Sequence, residues 1–328
     1  MDNKNILVFS NGEKIGDGII KIQFMHEIKR RLPDFNIIWV ANGTTVYNNK
    51  LKLFSDDYLH KVIENANLSP FFWKNITNNN FLLNTKFEYI LDTQKAVFRT
   101  FALKRLNHTF FISNAANAIF SKHKYIKKKL HKKYYLFDLI DLLDNIKRLD
   151  IDRNFKIAIP AKINILLNKI FLKDDKYIGF APGAGEKDKI WPIENFIHIA
   201  KYFENKSYKV VWFLGPDEVG IKDLIKNHFP KAIYPEENLN NFTNYEIVMA
   251  TTKYLSLALT NDSGISHILS TNHCPLIKLF GKKDSKKFTP KIKNIITISA
   301  YEFNSTLITD INKEFVIDKI NEILNKAL

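Results

Sequence analysis

From Lys176 onward the sequence alternates short apolar runs with amphipathic segments, and most of the apolar runs end on glycine or a small polar cluster. KYIGFAPG, KVVWFLG, AIYP, YLSLALTND and PLIKLFG are too short for helices and are bounded by turn residues, which predicts five strands. Between them lie WPIENFIHIAKYFE, DEVGIKDLIKNHF, NYEIVMATT and SGISHILSTN, with the spacing of helices. Strands separated in this way pair in parallel, because each connection must cross back over the sheet. A doubly wound parallel sheet is therefore expected, with ligands at the carboxyl ends of its strands.

The first half repeats the rhythm. A strand in NILVFS leads through the loop NGEKIGDG to a helix in IIKIQFMHEIKRRL that stops before Pro33, and NIIWVAN is the next strand. FEYILDTQ and HTFFIS are further strands, separated by the basic helical segment FRTFALKRLN, and a helical region runs from AANAIFSKHKYIKKKL to YYLFDLIDLLDNIKRL. The irregular stretch from Phe155 to Asp175, with Pro160 inside it, marks a linker. A length of 328 residues suits two domains, here 1–165 and 174–328. The last helix, INKEFVIDKINEILNKAL, places Val316, Ile320, Ile323, Leu324 and Ala327 at helical spacing. A return of that helix onto the N-terminal domain is one option.

A hydrophobic fraction of 45% with 25% charged residues excludes a disordered chain. With a single cysteine, Cys274, an internal disulfide and a cysteine-rich metal site are also excluded. The opening MDNKNILVFS has too short an apolar run for a signal peptide, and no segment approaches the ~18 apolar residues of a spanning helix. A cytoplasmic protein is expected. The net charge of +15 draws the chain toward polyanions of some kind.

Eleven glycines are present, none between Gly43 and Gly179. Most of the rest sit just after expected strands: Gly12, Gly16 and Gly18; Gly183 and Gly185; Gly215; Gly264; Gly281. Backbone without a side chain lets an anion such as a diphosphate come close to free N–H groups, although short loops also use glycine for their own geometry. There is no G-x-x-x-x-G-K-[ST], which disfavours a P-loop enzyme, and GEKIGDG does not have dinucleotide-binding spacing.

GFAPGAGEKDKIWPIENFIHIAKYF, FLGPDE and LTNDSGISHILSTNHCPLIKLFGKKDSKKFTP, in that order, resemble the donor domain of the heptosyltransferases, glycosyltransferase family nine. The opening ILVFSNGEKIGDGIIKIQF is similar to that family's start, where a Gly-Asp pair follows the first strand. The resemblance implies a GT-B fold: two Rossmann-like α/β domains facing a cleft, acceptor on the N-terminal one and nucleotide sugar on the other. It implies inverting transfer with no metal and no cofactor, and a base that takes the acceptor hydroxyl's proton. Asp17 matches that base. Capping of its helix is the alternative role for Asp17.

By the same resemblance Lys189 binds the donor diphosphate, with Lys187 close enough to substitute, and Asp262, Ser263 and Gly264 match the family's phosphate- and sugar-binding turn. His267 matches a donor-site histidine and Glu218 an acid for ribose hydroxyls, its alternative role being a helix cap. Gly183 and Gly185 are additional candidates for phosphate contact. The segment GDGIIKIQF departs from the family's Thr-Thr-Pro turn and leaves the acceptor open.

The lysines Lys124, Lys127, Lys128, Lys129, Lys132 and Lys133 form a basic run, either a patch for an anionic glycolipid acceptor or inner-membrane lipid, or a solvated face. No nucleic-acid recognition motif accompanies it. Asp150-Ile151-Asp152 mimics the D-x-D of metal-using transferases but lies near the linker. The expected activity is heptosyl transfer from a nucleotide sugar such as ADP-heptose to a lipopolysaccharide-type acceptor. The rival readings are a catalytically silent glycan- or lipid-binding protein on the same fold and a nucleotide-sugar epimerase.

Overall fold

The computed structural model describes residues 4–121, 134–215, 218–237, 239, 242–283, 285, 289 and 294–326. The chain divides into two compact units, Met1–Phe155 and Lys156–Leu328.

In the first unit the order is β1 (Lys4–Ser10), α1 (Ile15–Arg31), β2 (Phe35–Ala41), α2 (Lys52–Ser55), β3 (Leu59–Ile63), α3 (Asn80–Asn84), β4 (Phe87–Asp92), α4 (Val97–Lys104), β5 (His108–Ser113) and α5 (Tyr135–Asp144). The five strands are parallel, in the order β3-β2-β1-β4-β5. Because β1 is central, Ile6 to Phe9 are fully buried, and an unbroken apolar run serves where one-sided strands alternate. Edge strand β3, LHKVI, escaped the sequence reading because it is short, its apolar residues are interrupted by His60 and Lys61, and only Ile63 is buried.

At the end of β1, Gly12 adopts φ +112°, a conformation that side chains disfavour, and a Cβ there would lie 2.7 Å from the Thr44 carbonyl oxygen. This turn starts α1. At the other end of α1, buried Arg31 pairs with Glu27 and donates to the Leu149 carbonyl at 2.5 Å. Asp152 accepts from His26 Nε2 at 3.1 Å, and its own amide donates to Glu27 at 2.7 Å. The D-x-D mimic is thus a clasp that fastens the chain after α5 to α1.

The second unit contains α6 (Ala161–Ile170), β6 (Lys176–Ala181), α7 (Ile193–Glu204), β7 (Tyr208–Trp212), α8 (Val219–His228), α9 (Asn244–Thr251), β8 (Leu255–Asn261), α10 (Gly264–Leu269), β9 (Leu276–Phe280), β10 (Ile295–Ser299) and α11 (Lys313–Lys326). Its sheet is also parallel, in the order β10-β9-β8-β6-β7. Two details differ from the sequence reading. The fifth strand is IITIS, β10, whereas AIYP makes one isolated bridge, Val211 to Ile233. The stretch read as a linker holds α6, which Pro160 precedes without interrupting it, since a missing N–H costs nothing at a helix start.

Helix α7 begins after Pro192 and buries Phe196, Ile199, Ala200 and Phe203 against the sheet. Each large apolar side chain buried in this way stabilises the unit by about 1.5–3 kcal/mol. The last helix, α11, joins this same core through Val316, Ile317, Ile320 and Leu324 and packs on α7. Among the described residues, no helix is long and apolar enough to cross a membrane.

Candidate functional site

In the second sheet the strand order reverses between β6 and β8, and the loops that leave their carboxyl ends flank that point. One loop carries Gly183 and Gly185, the other Asp262, Ser263 and Gly264. Buried Asn261 joins them: its amide donates to the Pro182 carbonyl at 2.6 Å, and its oxygen accepts from the Trp191 amide at 3.3 Å. Trp191, fully buried, donates its indole N–H to Ile311. The predicted turn and the segment that carries Lys189 are thereby held to one frame.

Asp262 lies between two ammonium groups. Lys189 Nζ is 3.9 Å from one carboxylate oxygen and Lys278 Nζ is 3.9 Å from the other. Lys278 projects from β9, where its neighbour in register is Thr260, and is fully buried. Burial pushes its pKa down to about 8, an effect that the charge of Lys189 reinforces and that of Asp262 opposes. Burial also lowers the pKa of Lys189, but the hydrogen bond to Glu186 and the charges of Asp262 and Glu186 outweigh it and raise it. Lys189 meets Glu186 at 2.9 Å, and Lys283 meets the same carboxylate at 3.1 Å. The turn after β6 is therefore tied to the loop after β9.

Ser263 precedes α10 with extended backbone, and its hydroxyl is buried without a hydrogen-bond partner among the described residues. A Cβ added to Gly264 or to Gly185 would meet nothing within 4 Å. The fold itself does not require glycine at either place. His267, one turn into α10, has its pKa pushed down to about 3 by burial and then by Lys278 and Lys189, so it is neutral.

Glu218 follows the end of β7. It does not cap α8 with its side chain; its carboxylate turns back and accepts from the Gly215 amide at 2.6 Å. A Cβ on Gly183 would lie 2.0 Å from Glu218 Oε1, and one on Gly215 2.7 Å from Oε2. Both glycines make room for this carboxylate. Lys187 is exposed. The arrangement as a whole sets two ammonium groups, an unsatisfied hydroxyl and open backbone around one turn, an environment suited to an anion with adjacent hydroxyls.

In the first unit Asp17 stands in the first turn of α1 and is exposed. The cap position of that helix is Lys14, without a side-chain bond. Tyr134 and Tyr135 have their phenol pKa raised, first by burial and then by the negative charge of Asp17. Beneath this turn is a buried carboxylate that sequence reasoning missed. Glu13 accepts from Lys21 Nζ at 3.0 Å and Trp39 Nε1 at 3.2 Å, and also from the hydroxyls of Ser10 and Thr45. Nothing in NGEKIGDG marks Glu13 as buried, because apart from Ser10 at the end of β1 its partners come from α1, β2 and the loop beyond β2. Lys278 did have a signal: it is a lysine inside the apolar strand LIKLF.

The lysine run Lys124, Lys127, Lys128, Lys129, Lys132 and Lys133 lies outside the described residues. Among the described residues, no group of three or more His, Cys, Asp and Glu side chains is placed to hold a metal ion.

Residues 82–314 match the family described as glycosyltransferase family 9 (heptosyltransferase). Lipooligosaccharide heptosyltransferase 2 of Haemophilus influenzae is 28% identical over 166 residues, 45% of this chain and 47% of that protein. The chain spans about half the length of the curated relatives it matches. Among solved structures, a family 9 glycosyl transferase from Veillonella parvula superposes with a TM-score of 0.72 at 18% identity, covering 99% of this chain and 98% of that one. The E. coli heptosyltransferase WaaC with ADP-2-deoxy-2-fluoro heptose gives 0.69 at 15% identity, covering 97% and 99%. The shared fold is GT-B, with an α/β unit in each half.

Proposed function

The chain belongs to glycosyltransferase family 9, the heptosyltransferases, and from that premise we propose that it moves a sugar, heptose from ADP-heptose, onto a lipopolysaccharide-type acceptor. The observation that carries this reading is the turn after β8: Asp262 lies 3.9 Å from each of Lys189 and Lys278, next to an unpartnered Ser263 hydroxyl and an open Gly264. This is a place for a diphosphate and its sugar.

In the proposed reaction Asp17 accepts the proton of the acceptor hydroxyl as that oxygen attacks the anomeric carbon. The bond from that carbon to the diphosphate oxygen breaks on the opposite face, and configuration inverts. Charge growing on the leaving diphosphate is met by the Lys189 ammonium, the Ser263 hydroxyl and nearby amides, with Lys278 adding positive charge from below. With these cations in the protein, the transfer proceeds without a metal or a cofactor. Asp262 accepts hydroxyls of the sugar, and Glu218 accepts those of the ribose. His267, being neutral, donates or accepts a hydrogen bond and carries no charge. Gly183, Gly185 and Lys187 border the same donor. The acceptor is an anionic glycolipid taken from the cytoplasmic face of the membrane, with no nucleic-acid partner.

The test is a melting-temperature titration with ADP, UDP, GDP and CMP, with and without magnesium, since a ligand of the native state raises its melting temperature. A shift with ADP alone, indifferent to magnesium, is expected, followed by ADP release from ADP-heptose when acceptor is added. Absence of any nucleotide shift would instead indicate a silent binding protein, and a shift that needs magnesium would overturn metal-free transfer.

A further inference from the structure

Between Glu64 and Glu88, and again between Asp92 and Asp138, the sequence contains no acidic residue. The structure brings the described parts of these two stretches together. Arg105, just past α4, donates to the carbonyls of Ser69 at 2.8 Å, Phe71 at 2.5 Å and Lys74 at 2.7 Å. Its guanidinium fixes the shape of the loop between β3 and α3.

At the tip of that loop Phe72 is 84% exposed, Trp73 65% and Phe71 43%. The rings pack on one another, Phe71 stacked on Trp73 at 4.9 Å and Phe72 edge-on to Trp73 at 4.8 Å. On α4, Phe101 is 46% exposed and Phe98 73%. Phe101 lies four residues before Arg105 and Phe98 seven, so both lie on the helix stripe that leads to the loop. An open recess of about 570 Å³ beside the tip is lined by Phe72, Trp73, Lys74, Asn78, Leu83 and Arg105, among others.

Five exposed aromatic rings, three held outward by a buttressed loop and two on α4, are not what the core of this unit requires, and such patches mark interaction surfaces. The charge around them decides the partner. Lys74, Arg99, Lys104 and Arg105 accompany the rings, with no carboxylate from either stretch. Tryptophan and phenylalanine with flanking cations suit the boundary between anionic headgroups and acyl chains. Single-stranded nucleic acid also uses aromatic rings and cations, but it needs a run of free ring faces on which successive bases stack, and here the Phe71–Trp73 stack already covers one face of each of those rings.

We propose that the loop tip Phe71–Phe72–Trp73, with the Phe98 and Phe101 stripe of α4, seats the first unit on the surface of an anionic lipid bilayer. This deepens the reading of a glycolipid acceptor taken from a membrane, and it places the contact on described residues separate from the lysine run.

The chain contains its own reporter. Trp39, Trp191 and Trp212 are fully buried, whereas Trp73 is exposed. Tryptophan emission of the full chain is followed on addition of vesicles of phosphatidylcholine alone, or of phosphatidylcholine mixed with an equal amount of phosphatidylglycerol. The expected result is a blue shift and quenching by lipid-borne quencher with the mixed vesicles, and a much weaker response with phosphatidylcholine. The double variant Phe71→Ser with Phe72→Ser keeps the reporter and should lose roughly tenfold or more in partitioning to the mixed vesicles, with its melting temperature and ADP response unchanged. No blue shift, equal partitioning of the variant, or equal response to both vesicles would overturn the proposal. Self-association that hides Trp73 without lipid, or quenching by a single-stranded oligonucleotide in place of vesicles, would assign the surface to another partner and also overturn it. Because neither donor nor acceptor is present, failure here leaves the transfer reading intact, and failure of nucleotide binding leaves this one.

Discussion

Replacing Gly264 by alanine separates what the fold needs from what a ligand needs. The new Cβ would meet nothing within 4 Å, and Gly264 does not have a positive φ. It is the first residue of α10. The unliganded protein should therefore tolerate the change and gain up to about 0.5–1 kcal/mol, because alanine restricts the unfolded chain more than glycine. In the proposed complex the methyl group occupies ground taken by the diphosphate. Pushing the phosphate out weakens at least one hydrogen bond to a charged group, about 1.5–3 kcal/mol, or roughly 10- to 150-fold in affinity. Isothermal titration with ADP gives the affinity, and a thermal melt without nucleotide gives the stability. Unchanged ADP affinity would refute a donor at this turn, and a melting temperature several degrees lower would refute the claim that the fold is indifferent to this position.

Asp17→Asn should lower transfer by roughly 10²- to 10⁴-fold while ADP affinity and melting temperature stay as in the parent, which a paired turnover and titration experiment checks. The folded pKa of Lys278, about 8 against an ordinary 10.5, means that the folded state holds fewer protons between these values. Stability should therefore rise with pH across that window, and Lys278→Met should flatten the rise in urea unfolding series. Over the same range the site loses a positive charge, so ADP affinity in the parent should weaken by roughly three- to tenfold above pH 8. A pH-independent affinity would show that Lys278 does not act on the donor. Lys21→Met leaves the Glu13 carboxylate buried without its cation and should cost about 3–5 kcal/mol in urea unfolding, whereas the double variant with Glu13→Gln should recover much of the loss.

Much of this fold is legible in the sequence because it is built from local periodicities. Parallel strands buried on both faces must be short apolar runs, and their crossovers must be amphipathic, so β1, β2, β4, β6, β8 and β9 can be located from residues alone. The turn from Asp262 to Gly264 is visible for the same reason, since small and acidic residues stand out after an apolar strand. AIYP and IITIS cannot be ranked in this way, because both are short and apolar and only pairing with a neighbour distinguishes a bridge from a strand.

What the sequence determined by itself is the backbone's repeating pattern and the type of chemistry available at its turns. Only the tertiary structure decided which charges meet. Lys278 reaches Asp262 because β9 lies beside β8, and Glu218 fits against Gly183 because the loops after β6 and β7 are adjacent. Glu13 becomes a buried carboxylate because α1 and β2 close over it. Periodicity acts over a few residues, whereas the distance between two charges depends on strand order, and these pairs lie between 8 and 35 positions apart in the chain.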